Sequence, residues 1–82
     1  MPMTKNNLIG TMNAGYTIVK QGNTAVLAQK EYEFGGIKDI KWVAWHYWER
    51  GGEVEYGWGR YGSRAYAEEC FAKKERGEYS GD

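Results

Sequence analysis

His46 is the one histidine in the chain, and its ordinary pKa near neutrality makes it the side chain best suited to passing a proton at physiological pH. Proton transfer to a substrate needs company: a nucleophile to activate, a second acid or base, or a metal whose ligands the imidazole joins. The sequence around His46, "WVAWHYWER", supplies rings instead. Cys70 is the one cysteine, which excludes an intrachain disulfide, and one Cys with one His cannot build a structural zinc site. Cys70 reads as a small buried hydrophobe. These types and spacings predict no catalytic residue, no metal and no cofactor, so the chain reads as a non-enzyme. A second chemical candidate is Tyr61-Gly62-Ser63-Arg64, a glycine-containing turn ahead of a helix. Backbone N–H groups there, with Ser63 and Arg64, could accept a phosphate, although Ser63 is equally a simple helix cap.

Residues 41–61 hold four tryptophans and three tyrosines, "KWVAWHYWERGGEVEYGWGRY". Alternate side chains of a strand point to opposite faces, so rings at odd and even positions populate both faces of a sheet. Gly51-Gly52 divides the run and suits a two-residue turn with positive φ. That register sets Tyr47 opposite Tyr56 and Trp45 opposite Trp58, a ladder of large rings. The reverse face then carries Trp42, His46, Trp48 and Tyr61 around a floor of Ala44, Gly57 and Gly59.

The elements that must position these residues follow from local pattern. "YTIVKQ" and "TAVLAQKEY" are strand-like runs joined at Gly22-Asn23, with Val19 facing Val26 and Ile18 facing Leu27. "EFGGIKD" reads as a loop punctuated by Gly35-Gly36. Ser63 and Gly77 bracket "RAYAEECFAKKER", a helix with Tyr66, Ala67, Cys70 and Phe71 on one side. The fold class is therefore α+β: a two-layer, four-stranded antiparallel sheet of two hairpins with one C-terminal helix. Residues 1–14 are polar and read as a flexible N-terminal arm, 15–77 as a single ββββα domain, and 78–82 as a frayed tail.

One helix shields one sheet face. The ring ladder is the expected core against Phe71, which leaves Trp42, Trp48, Tyr61, His46 and Arg60 as the partner-binding groove, with Ser63 and Arg64 as an anion-binding corner. Exposed rings on this scale suggest a homodimer or another protein partner. With 11 basic and 11 acidic residues the net charge is zero, which argues against nucleic acid and gives no pull toward an anionic membrane. No apolar run is long enough for a membrane span, and a cytoplasmic location is expected.

The segments Val43-Ala44-Trp45-His46-Tyr47 and Tyr56-Gly57-Trp58-Gly59-Arg60-Tyr61, followed by a Ser-capped acidic helix, resemble those of small uncharacterised proteins of bacterial mobile elements and phages. In size and style the chain also looks like small phage-encoded inhibitors of host defence, including anti-CRISPR proteins. The resemblance implies an accessory protein or inhibitor that occludes a host defence protein. Two alternatives stand beside it: a small-ligand binder that sequesters a nucleotide between rings, and a single-stranded nucleic-acid binder on an aromatic platform.

Overall fold

The computed structural model describes residues 8–77. In them the chain forms β1 (Met12–Asn13), β2 (Tyr16–Gln21), β3 (Ala25–Phe34), β4 (Ile37–Arg50), β5 (Glu53–Gly62) and α1 (Arg64–Glu75). Each strand pairs antiparallel with the next, in the order β1-β2-β3-β4-β5. The α+β class and the C-terminal helix are as expected, but the sheet has five strands where four were expected. The additional strand is β1, in a segment expected to be a flexible arm. A turn with Ala14 and Gly15 at positive φ lets Asn13 pair with Tyr16 and Met12 with Thr17. The rest of that arm, residues 1–7, and the tail at 78–82 lie outside the described residues.

Turn chemistry sets the strand lengths. Gly51 and Gly52 take φ of 62° and 86° and close Arg50 against Glu53, as expected. Gly35 and Gly36 take nearly the same angles, 62° and 82°, and close Phe34 against Ile37. The stretch expected as a loop is thus a second tight hairpin. Its strands outrun their neighbours, because β2 reaches only Gln29 of β3 and β5 reaches only Trp42 of β4. Among the described residues Lys30–Phe34 and Ile37–Lys41 pair only with each other, as a two-stranded arm projecting from the body.

The β2–β3 connection departs from the expected primed turn, since neither Gly22 nor Asn23 takes a positive φ. The Glu75 carboxylate at the helix end accepts instead from the backbone N–H groups of Asn23, Thr24 and Ala25 at 2.6, 3.0 and 3.1 Å. Gly22 lies so close beneath it that a Cβ there would overlap the carboxylate. Gln21 therefore pairs with Val26, and a bulge at Val19 brings Ile18 opposite Ala28.

Both sheet faces are closed by the chain itself. The helix covers the small-residue face, where Ala25, Leu27 and Ala44 meet Ala67 and Phe71, with Trp42 and Cys70 alongside. This reverses the expected assignment. The ring face holds Val43, Trp45 and Tyr47 with Ile18, Val26 and Ala28, and Tyr16 and Leu8 bury with them. Curvature completes that closure: Tyr16 of β2 meets Tyr61 of β5 at 5.6 Å between ring centroids, although β3 and β4 lie between their strands. The Leu8 N–H donates to Gln21 Oε1, Gln21 Nε2 donates to the Tyr47 hydroxyl, and that hydroxyl donates to the Gly22 carbonyl. Leu8 is thereby fixed as a lid on the face once expected to need the helix.

The helix begins as predicted. Ser63 is the N-cap, its hydroxyl accepting from the Tyr66 N–H at 3.2 Å, and Gly77 follows the last turn with φ 84°. Ala67 and Phe71 are buried, Tyr66 turns outward over Gly62, and Lys74 is buried rather than left in the solvent.

Candidate functional site

The expected ladder is broken by one residue. Tyr47 pairs with Tyr56, as the turn dictates, but Trp45 pairs with Gly59, because β5 bulges opposite His46. An added residue in one strand of an antiparallel pair rotates everything beyond it to the other face. Trp58 is consequently 77% exposed, while Trp45 is 3% exposed and packed edge-on against Tyr16 and Tyr61. The expected Trp45–Trp58 pair does not form. Gly59 moves under the Trp45 indole, where a Cβ would stand 2.5 Å from Nε1.

The expected groove is the seat of the helix, since its floor residue Ala44 is buried against Ala67 and Phe71. Its rim is dispersed. Trp42 packs at the edge of that cluster with the Arg64 guanidinium 5.3 Å above its ring. His46 lies half-buried opposite Ala25, and Arg60 lies half-buried opposite Ala44. Trp48 stands further along β4, donating from Nε1 to Glu55 at 2.9 Å. Tyr61 passes to the ring face against Tyr16 and Trp45.

Four residues singled out by sequence do converge. Trp42, Tyr61, Ser63 and Arg64 line an open cleft of about 540 Å³, with Tyr32, Asp39, Ile40 and Lys41 from the root of the arm. That volume falls within the roughly 300–1,000 Å³ of small-ligand sites. Asp39 organises the arm's side of it. Its Oδ1 accepts the Ile40 N–H at 2.8 Å, and its Oδ2 accepts the Tyr32 hydroxyl at 3.1 Å. That hydrogen bond, more than burial, holds the Tyr32 hydroxyl above the usual tyrosine range. The Lys41 ammonium sits 5.2 Å over the Tyr32 ring. Each wall of the cleft therefore presents a cation laid on an aromatic face, an arrangement worth about 0.5–1 kcal/mol at exposed sites. Asp39 escaped the sequence reading because "EFGGIKD" reads as a loop, which also separates Tyr32 and Lys41 at the ends of the two flanking strand-like runs. The signal for them was the second Gly-Gly pair, identical to the one recognised at 51–52.

The arm adds large exposed apolar groups beside Trp58 of β5. Phe34 and Ile37, paired at its tip, are 80% and 71% exposed, and Ile40 at its root is also exposed. Among the described residues, no group of three or more His, Cys, Asp or Glu side chains is arranged to hold a metal ion, and no helix is long and apolar enough to cross a membrane. Compared with protein-family models, curated proteins and solved structures, the chain shows no significant match.

Proposed function

We propose that this protein is a non-enzymatic binding module that engages a partner protein through the β3–β4 arm and the cleft at the arm's root. The observation that carries the proposal is the cross-strand pair Phe34 and Ile37 left in solvent at the arm's tip, whereas both sheet faces of the body bury a core and leave Trp58, among the described residues, as their one ring of comparable exposure. The arm contributes nothing to either core, so stability gives no reason for large apolar residues there. Contiguous exposed apolar surface of this kind marks interaction sites. Lys30, Lys38 and Lys41 are balanced on the arm by Glu31, Glu33 and Asp39, which favours a protein partner over a polyanion. Occlusion of a host defence protein, the role implied by the sequence resemblance, is one form that such binding takes.

The test is chemical cross-linking of tagged protein in host lysate, with mass spectrometry, for wild type and for the double variant Phe34→Ser/Ile37→Ser. A specific cross-linked partner is expected with wild type and lost from the double variant, whose circular dichroism stays unchanged. Equal capture by the folded double variant would move the interface off the arm.

A further inference from the structure

Building on that binding role, we infer that the open edge of β4 at Lys38–Ile40 is a strand-addition site, and that it takes an extended segment of another protein bearing an acidic residue. The lane is already laid out. β5 occupies the flank of β4 as far as Gly62 opposite Trp42 and then turns away into α1, so that among the described residues no strand pairs with the same flank from Lys41 to Ile37. The two-residue turn makes Phe34–Ile37 a hydrogen-bonded pair, so alternation along the ladder points the N–H and C=O groups of Lys38 and Ile40 away from β3.

Asp39 shows what the lane is missing. Its Oδ1 accepts the Ile40 N–H at 2.8 Å, the place a carbonyl of a neighbouring strand would take. It substitutes for one bond of an absent strand, and Lys38 lies on the same open edge. The inner end of the lane is the cleft, where cations stand on both sides. Arg64 lies over Trp42 on the helix face, and Lys41 belongs to the opposite face, over Tyr32. The Asp39 carboxylate, on the same face as Lys41, is engaged by Ile40 and Tyr32. A guest strand with a Glu or Asp near this end meets a cation on whichever face that residue points to, while its backbone supplies the ladder, as in other β-augmentation complexes.

A second copy of this chain fits the lane poorly. Antiparallel self-pairing centred on Asp39 or on Lys38 sets that residue against its own copy, and like charges directly opposite are destabilising. Self-pairing centred on Ile40 would match Asp39 with Lys41, but it needs the position that Gly62 fills opposite Trp42. The same edge of a second copy is therefore a poor occupant, and a segment of a different protein is the one proposed.

Linear random peptides displayed on particles and panned on the full-length protein provide the probe. Selected peptides are then synthesised and titrated by fluorescence anisotropy against wild type, Lys38→Pro, Lys38→Ala, Lys41→Ala and Arg64→Ala. Proline at 38 removes an outward N–H that β3 does not use, a substitution edge strands tolerate. Peptides with alternating apolar residues and an acidic residue are expected. Their Kd should rise about tenfold with Lys38→Pro, as for loss of one hydrogen bond, rise several-fold with one of Arg64→Ala and Lys41→Ala according to the face the acidic residue takes, and stay within about twofold with Lys38→Ala. N-methylation of the peptide at alternate residues is a check that leaves the protein fold untouched: one set should abolish binding and the other should not.

Recovery of no peptide, or of peptides that bind Lys38→Pro like wild type and tolerate N-methylation everywhere, would overturn strand addition. If the cross-linked partner is lost with Phe34→Ser/Ile37→Ser but kept by Lys38→Pro, the binding role survives and strand addition fails. A partner kept by both variants defeats both.

Discussion

Gly59 has no room for a methyl group. A Cβ there would lie 2.5 Å from Nε1 of the buried Trp45 and 2.8 Å from Cε1 of Tyr61, which packs edge-on against it. Gly59→Ala should cost about 1–3 kcal/mol by forcing those rings apart, read as a lower denaturant midpoint. Gly57→Ala should cost less, because its contact at 3.3 Å is with the partly exposed Trp48 ring. Sequence placed both glycines on one groove floor. The bulge that separates them has no composition of its own, so that slip was not legible. At the other end of the sheet, Glu75→Ala leaves three backbone N–H groups of the β2–β3 loop without their acceptor and should cost about 1–3 kcal/mol. The ring core also sets an alkaline limit. Burial is the main cause raising the hydroxyls of Tyr16 and Tyr56 above the ordinary tyrosine value; the Tyr61 charge adds to it at Tyr16, while a Thr11 hydrogen bond opposes it at Tyr56. A raised folded pKa means that the folded state holds its proton longer. Stability is therefore full below pH about 10 and declines as pH rises through the folded values. Unfolding midpoints measured from pH 8 to 11 should show that decline, with a shallower slope in Tyr56→Phe.

The elements differ in how plainly the sequence announces them. Helix α1 and the Gly51-Gly52 hairpin are legible because a cap, a stop and an aromatic alternation coincide in each. The arm hairpin carries the same Gly-Gly device, but Glu31, Glu33, Lys38 and Asp39 interrupt its apolar pattern. No core face dictates an alternation there, which is why it resembles a loop. Segment 8–13 hides for the opposite reason: its one buried anchor, Leu8, sits among polar residues and is recruited by tertiary contact. Leu8→Ala should lower stability by about 2 kcal/mol or more and shift tryptophan emission to the red as water reaches Trp45. Phe34→Ser/Ile37→Ser, by contrast, should leave the unfolding free energy within about 0.5 kcal/mol of wild type.

The whole molecule measures 45 × 27 × 16 Å with a radius of gyration of 13.0 Å, larger than the roughly 12 Å of a compact chain of this length; the projecting arm is in keeping with that excess. The case for a homodimer rests on more rings than one helix can cover, and the helix in fact leaves the ring face. Leu8, Tyr16 and the curl of the sheet close that face within one chain, and the like charges of the β4 edge oppose self-pairing, so sedimentation should show a monomer at micromolar concentration. Closure of both faces with exposure of the arm is most directly measured by hydroxyl-radical footprinting of the free protein, read by mass spectrometry residue by residue. Fast oxidation of Phe34 and Trp58, with Trp45, Tyr16 and Tyr47 protected, is the expected result. Trp45 oxidised as fast as Trp58, or Phe34 protected in the monomer, would contradict it.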